Sequence, residues 1–94
     1  MNFKFDWDEN KNKQNITKHG IDFKDIPNVF NNPILIKEDK REDYGEKRFI
    51  GIGKLLSIEI VIVWTIRKNT IRIISARQAN KKERNIYNER NDKN

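Results

Sequence analysis

The sequence IEIVIVWTI, residues 58–66, is nearly continuous in apolar and β-branched side chains, and it decides the fold. Such a run is typical of a central strand that is covered on both faces. Lys68 and Asn69 then form a tight turn into residues 70–76, which are again rich in β-branched side chains. Two strands joined by so short a turn predict an antiparallel hairpin at the centre of a β-sheet.

Three further segments, all on the N-terminal side of this hairpin, also predict strands. From Asn2 to Trp7 aromatic and polar side chains alternate, which is the pattern of a strand with one buried face. Residues 34–37 and 48–52 are apolar and are bounded by polar or glycine-containing sequence. The sequence therefore predicts five strands, with residues 58–66 as the spine of the sheet.

Capping residues mark the ends of two predicted helices. Asp8 is suited to begin a helix and Gly20 to close it in the left-handed conformation, with Ile16 as the one clear core contact of an otherwise polar segment. Asn80 and Glu83 have the spacing of a capping box, which opens a basic C-terminal helix.

Apolar spacing between residues 21 and 30 predicts a further helix, for which Asp22 is an available cap. Pro27 is compatible with this helix if the helix begins at Asp25 or Ile26, because proline is tolerated in a first turn. The order of elements is strand, two helices, four strands and one helix. It predicts an α+β domain with a mostly antiparallel sheet, two helices in the N-terminal half and one C-terminal helix, all packed on one side of the sheet.

The chain of 94 residues is short enough for one domain and carries a net charge of +6, with a pI near 9.7. A basic chain favours anionic partners, of which nucleic acid is the first candidate, although a merely lysine-rich surface has the same composition. The chain has no cysteine and one histidine. These counts exclude disulfides, thiolate zinc sites and multi-histidine metal sites. The N-terminal residues do not resemble a signal peptide, and the apolar runs are too short to span a bilayer, so we expect a cytoplasmic protein.

Three segments carry a family resemblance: WDENKNKQNITKHGIDF, then EDKREDYGEKRFIGIG, and then WTIRKNTIRIISARQANKKERNIY. In this order, and over almost the whole chain, they resemble the BrnT family. The resemblance implies one toxin domain over residues 1–94 with a RelE-like ribonuclease fold. It also implies RNA cleavage without a metal or other cofactor, which inhibits translation and growth. The implied partner is a BrnA-type antitoxin with a ribbon-helix-helix DNA-binding element, in a heterotetramer.

Arg67 and Arg77 end the two segments of the predicted hairpin and are our candidates for holding phosphate oxygens. Alternatively, arginines at strand ends cover sheet edges or pair with glutamate. With a two-residue turn the two side chains point to opposite faces of the sheet. A shared phosphate site therefore requires a longer turn, or a β-bulge before Arg77.

Proton transfer has three candidates, each with a structural alternative. Glu46 follows a glycine at a strand entry and is equally suited to a surface ion pair. His19 is the one side chain here with an ordinary pKa of ~6.5, but histidines at helix ends also bind the last carbonyl groups. Tyr87 could donate to phosphate or stack on a base, or it could pack its helix on the sheet.

Further cations are interpreted as contacts to RNA or as a solvated surface. Those that we assign to RNA binding are Lys18, Arg48, Arg72, Lys81, Lys82 and Arg84. The acidic residues 38–43 are unsuited to RNA and could contact the antitoxin, with Asp39 and Asp43 as the charges to test. Trp64 and Trp7 are assigned to the core. The competing hypothesis is a catalytically inactive module of the same fold that binds nucleic acid or an antitoxin.

Overall fold

The computed structural model describes residues 3–92, and within them it contains five strands, three α-helices and one 3₁₀ helix. The strand predicted from Asn2 begins at Lys4, and Asn2 itself lies outside the described residues. The elements in chain order are β1 (Lys4–Trp7), α1 (Glu9–His19), the 3₁₀ helix (Phe23–Asp25), α2 (Ile26–Val29), β2 (Leu35–Asp39), β3 (Arg48–Leu55), β4 (Ile58–Arg67), β5 (Thr70–Gln78) and α3 (Lys81–Asp92).

The five strands form one sheet in the order β1-β5-β4-β3-β2. β1 runs parallel to β5, and the other neighbouring strands are antiparallel. Residues 60–65 of β4 are all buried. The predicted α+β class and the central position of this strand are therefore confirmed.

The β4–β5 hairpin has the predicted two-residue turn, because Arg67 pairs directly with Thr70. Farther along, Trp64 pairs with Ile73 whereas Val63 pairs with Ser75, so one residue of β5 has no cross-strand partner. This extra residue, Ile74, makes a β-bulge. After it, each side chain of β5 points to the face opposite to the one that it would occupy in a regular strand.

The main core lies on the sheet face that the 3₁₀ helix and α2 cover. Phe23, Ile26 and Val29 are fully buried there against a cluster that includes Ile62 and Trp64. Trp64 is thus a core residue, as predicted, and Trp7 packs against the same cluster.

α3 covers the opposite face, so the prediction that all helices lie on one side is wrong. Asn88 of α3 donates to Glu59 of β4. Ile86 lines a shallow groove together with Ile50 and Val61 of the sheet. Because the second face of the sheet also carries apolar side chains, it needs a helix of its own.

α1 begins and ends where the sequence predicts, but its buried side chains differ from the prediction. The Asp8 carboxylate caps its first turn, and Gly20 closes it with φ of 71°. Ile16 is 41% exposed, whereas the buried residues are Asn12 and Asn15. Our assignment of Ile16 to the core is therefore wrong.

The buried asparagines are explained by what α1 packs against, which is backbone. Asn15 accepts from the backbone N–H of Ala76 at the part of β5 that β1 does not cover, and it donates to the carbonyl of Ile21. Asn12 accepts from the N–H of Phe23 and donates to Asp22. Amide side chains satisfy these polar groups, which an apolar side chain would leave unpaired.

The remaining helix ends follow the sequence predictions. Asp25 precedes α2, and Pro27 lies in its first turn. Asn80 and Glu83 each accept from the backbone N–H of the other, which is the reciprocal pattern of a capping box.

Candidate functional site

A polar cleft opens on the α3 side of the sheet, at the end where β4 turns into β5. Its volume is about 180 Å³, and it combines cations and carboxylates from β3, β4, β5 and the start of α1. The lining residues are Asp8, Lys11, Glu46, Arg48, Thr65, Arg67, Arg72, Ile73 and Ile74.

The sheet register places two arginines on either side of a buried threonine. Arg48 pairs with Thr65 across β3 and β4, and Thr65 pairs with Arg72 across β4 and β5. The Cα atoms of the two arginines are therefore roughly 10 Å apart, at about 4.8 Å per strand. The Thr65 hydroxyl donates to the carbonyl of Lys47 at 2.7 Å, so this floor of the cleft is fixed.

Glu46 lies between two of the cleft arginines, just before β3. Its carboxylate accepts from Arg67 at 3.1 Å and lies 3.5 Å from Nε of Arg48. The hydrogen bond from Arg67 lowers the pKa of Glu46 below the ordinary value of 4.5; burial raises it by less, and the charges of both arginines lower it further. In the free protein this carboxylate is therefore ionised and engaged.

Arg72 and Lys11 supply positive charge at the other wall. Arg72 forms an ion pair with Asp6 of β1 at 3.2 Å, and its side chain is 29% exposed. Lys11 is an exposed residue of the first turns of α1, and it reaches the same cleft. Nothing in the sequence distinguishes Lys11 from the other lysines of α1.

Tyr44, which our sequence analysis did not single out, packs on Arg48. The guanidinium of Arg48 lies 4.1 Å from the centre of the Tyr44 ring. Within the described part of the chain, Nε of Arg48 is buried and has no hydrogen-bond acceptor. Tyr44 lies four positions before Arg48 in the sequence. This spacing alone does not predict the contact, because the contact depends on the conformation of the loop.

Arg77 shares the face of Arg67 but not its site. The β-bulge at Ile74, which was one of the two conditions for a shared site, places the side chains of Arg67 and Arg77 on the same face of the sheet. However, Arg77 pairs with Val61, six positions before Arg67 on β4, which is roughly 20 Å along the strand. Both terminal nitrogens of Arg77 bind the Glu83 carboxylate at 2.9 Å, and this hydrogen bonding raises the pKa of Arg77.

The other two proton-transfer candidates also lie away from the cleft. His19 is half-buried in the last turn of α1, eight residues beyond Lys11 and so roughly 12 Å farther along the helix. Tyr87 is 3% exposed, and its hydroxyl donates to the carbonyl of Pro33 at 2.9 Å. The burial and this hydrogen bond fit the alternative interpretation, in which Tyr87 packs its helix on the sheet.

The predicted RNA-binding cations divide into two groups. Arg48 and Arg72 line the cleft. The others are exposed residues near the end of α1 and the start of α3, and the guanidinium of Arg84 donates to the Ala79 carbonyl. The structure does not bring this second group to the cleft; its members are Lys18, Lys81, Lys82 and Arg84.

The acidic segment 38–43 is only partly available to another protein. Asp43 is exposed, but Asp39 is 5% exposed and accepts two hydrogen bonds from the Arg41 guanidinium at 2.8 Å. This pairing holds the pKa of the Asp39 carboxyl well below its usual range. Asp39 therefore cannot serve as the free surface charge that we expected.

A larger hollow, of about 590 Å³, lies on the core side of the sheet. It is lined mainly by aromatic and aliphatic side chains, with Asn31 as its one polar side chain, so it offers no group for proton transfer. Three of its apolar side chains are more than 40% exposed: Phe3, Ile36 and Ile66. Exposed apolar surface of this kind is typical of contact with another protein.

The described residues lack two features of other functional classes. Across residues 3–92, no three or more His, Asp or Glu side chains are placed to hold a metal ion. No helix in this range is long and apolar enough to cross a lipid bilayer.

Comparison with known proteins identifies one family. The family model described as "Ribonuclease toxin, BrnT, of type II toxin-antitoxin system" matches residues 7–83. This range includes every residue that lines the polar cleft. A search of curated proteins found no match.

Proposed function

The chain belongs to the BrnT family of ribonuclease toxins of type II toxin–antitoxin systems, and we propose that it cleaves RNA in the polar cleft without a metal ion. One observation carries this proposal: three arginines, a lysine and two carboxylates from several elements line one small cleft. RNA cleavage needs positive charge for the phosphate, a base for the 2′-hydroxyl and an acid for the leaving oxygen. The cleft holds a residue of each kind.

Arg48, Arg67 and Arg72 would bind the scissile phosphate. Arginine forms paired hydrogen bonds to phosphate oxygens and keeps its charge at any physiological pH. The three side chains are 24%, 59% and 29% exposed, so they are accessible from solvent yet anchored on strands. Charge concentrated there would stabilise the phosphorane more than the bound substrate.

Glu46 would act as the general base. In the free protein the pKa of Glu46 is lowered chiefly by the hydrogen bond from Arg67. When a bound phosphate accepts the hydrogen bond of Arg67, Glu46 loses that hydrogen bond. The pKa of Glu46 then rises towards its ordinary value. Substrate binding would thus make Glu46 a better proton acceptor at the moment of reaction.

Lys11 would donate the second proton. The ribose 2′-oxygen attacks phosphorus while Glu46 takes its proton, and the bond from phosphorus to the 5′-oxygen breaks. The ammonium of Lys11 protonates the departing 5′-oxygen. The products are a 2′,3′-cyclic phosphate and a 5′-hydroxyl, and both side chains then exchange protons with water.

The finer implications of the resemblance are part of the same proposal. We propose one RelE-like toxin domain over residues 1–94 that acts in the cytoplasm and inhibits translation and growth by degrading RNA. The register of the sheet supports the single domain, because it joins β1 near the N-terminus to β5 late in the chain.

An antitoxin partner follows from the family. We propose that it is of the BrnA type, with a ribbon-helix-helix element, and that two toxins and two antitoxins form a heterotetramer. The exposed apolar side chains Phe3, Ile36 and Ile66 support a protein contact at the larger hollow.

The competing function is an inactive module that binds nucleic acid or the antitoxin. The apolar hollow favours protein binding, but it does not account for three arginines in one cleft, two of which contact Glu46.

The test is to incubate the purified chain with single-stranded RNA in the presence of EDTA and to analyse the product ends. We expect fragments with 2′,3′-cyclic phosphates, and no cleavage of the same oligonucleotide carrying 2′-O-methyl groups. If the folded chain cleaves no RNA, with or without ribosomes, the binding module replaces the ribonuclease.

A further inference from the structure

Asp39 and Arg48 are direct cross-strand neighbours, yet they do not form an ion pair. They face each other in the β2–β3 register, where opposed Cα atoms lie about 4.5–5.5 Å apart. The carboxylate of Asp39 is buried, its side chain being only 1% exposed. A buried carboxylate beside a partly buried arginine would ordinarily pair with it.

Arg41 occupies that carboxylate instead. Its Nε and Nη2 atoms each donate to a different oxygen of Asp39 at 2.8 Å, and its backbone N–H donates as well at 3.2 Å. The Tyr44 hydroxyl adds a donor at 3.3 Å. Asp39 therefore has four hydrogen bonds from the loop between β2 and β3, and none from its cross-strand neighbour.

Arg48 is directed the other way, into the cleft. Its guanidinium lies over the ring of Tyr44, and its Nε atom lies 3.5 Å from Glu46. Tyr44 thus connects the two groups: its hydroxyl binds Asp39 while its ring supports Arg48.

We propose that Arg41 is a positioning residue for RNA cleavage, which saturates Asp39 and so leaves Arg48 free to bind phosphate in the cleft. Without Arg41, the cation that faces the buried carboxylate directly across the strand pair is Arg48. The guanidinium of Arg48 would then turn from the cleft towards Asp39. This inference rests on the proposed ribonuclease site.

The test compares Arg41→Met, Asp39→Asn and the double variant, with Lys40→Met as a control that removes one charge from the adjacent position. We expect Arg41→Met to cleave RNA roughly ten- to a hundredfold more slowly than wild type, as is typical of misplaced binding groups. Adding Asp39→Asn removes the competing carboxylate, so the double variant should recover most of the rate. Lys40→Met should cleave like wild type.

The recovery separates positioning from a structural role. If the Asp39–Arg41 pair only held the loop together, removing both partners would leave the defect in place or increase it. Wild-type cleavage by Arg41→Met, or no recovery in the folded double variant, overturns the inference. Circular dichroism and thermal melting establish that each variant is folded.

A second readout does not depend on activity. The ¹⁵N resonance of Arg48 Nε, and the affinity for an uncleavable 2′-O-methyl RNA oligonucleotide, report where the guanidinium points. A resonance that shifts in Arg41→Met and returns in the double variant supports the inference, even if the wild-type chain cleaves no RNA and the proposed function fails. A resonance that does not move overturns it whatever the activity.

Discussion

Arg67 and Arg77 project from the same face of the β4–β5 hairpin because of the bulge at Ile74, yet they lie at opposite ends of it. Arg67 faces the cleft and binds Glu46, whereas Arg77 binds Glu83 at the start of α3. The two arginines therefore belong to different local structures, and their substitution should have different effects.

Arg67→Ala should lower the rate of RNA cleavage by about a hundredfold or more, as is typical when a donor to the transition state is lost. Arg77→Ala should keep most of the rate and lower the free energy of unfolding by less than about 1 kcal/mol, since its pair with Glu83 is partly exposed. Single-turnover cleavage and urea unfolding measure the two effects. A hundredfold loss of cleavage in folded Arg77→Ala would contradict this division.

The pH dependence of cleavage should distinguish Glu46 from His19 as the base. The folded-state pKa of Glu46 is lowered, so the carboxylate is ionised throughout the range above its ordinary value of 4.5. The acid limb of kcat/KM, which reports the free enzyme, should therefore lie below pH 4.5. A histidine base would instead give a limb near pH ~6.5. Such a limb, if it disappeared in His19→Gln, would exclude Glu46.

Lys11 and Lys13 form a matched pair for the proton donor. Both are exposed on α1, but only Lys11 lines the cleft. Lys11→Met should slow cleavage by roughly a hundredfold, within the usual contribution of acid–base catalysis. Lys13→Met removes the same charge and should affect only RNA affinity. An RNA with a sulfur leaving group at the 5′ position, which needs no proton, should restore the rate of Lys11→Met; equal defects in both variants would indicate simple electrostatics.

Antitoxin binding should depend on the apolar hollow. Ile36 is 57% exposed at its margin, whereas Leu56 is 93% exposed in the β3–β4 turn. Ile36→Asp should weaken binding of the antitoxin and prevent rescue of growth, and Leu56→Asp should do neither. Calorimetry on an Arg67→Ala background avoids toxicity during expression. Unchanged affinity of Ile36→Asp would place the antitoxin elsewhere.

Asn15 should be more important for stability than its apolar neighbour Ile16. Asn15→Leu leaves the N–H of Ala76 and the carbonyl of Ile21 buried without their partners, each at a cost of about 1–3 kcal/mol. Ile16→Asn changes an exposed side chain and should alter the free energy of unfolding by less than about 0.5 kcal/mol. Thermal and urea denaturation give both values, and a larger effect at Ile16 would contradict the structure.

Local patterns were sufficient to predict most elements of this fold. The β-branched run at 58–66, the turn at Lys68 and Asn69, and the caps Asp8 and Asn80 act within a few residues, and each lies where expected. The burial of α1 could not be predicted in this way. Its inner face meets the exposed backbone edge of β5, and hydropathy describes contacts with apolar side chains only.

The cleft was predicted in part, for a related reason. Glu46 and Arg67 were predicted as site residues because each is a charged residue at the end of a predicted strand, and a strand end restricts where such a side chain can lie. Tyr44 and Arg41 were not, because each depends on how a loop is formed. A bulge before Arg77 was considered only as one of two possible conditions, because it depends on the register of the strands. No local pattern distinguishes Arg67 from Arg77; only the pairing of strands separates them.

The parallel pairing of β1 with β5 has a consequence for how the protein is made. Residues 4–7 are synthesised early, but their strand partners are residues 70–73, which are synthesised much later. Arg72, one of these later residues, lines the cleft. A nascent chain therefore has no complete cleft until most of its length has left the ribosome. The structure thus delays the complete cleft until synthesis is nearly finished.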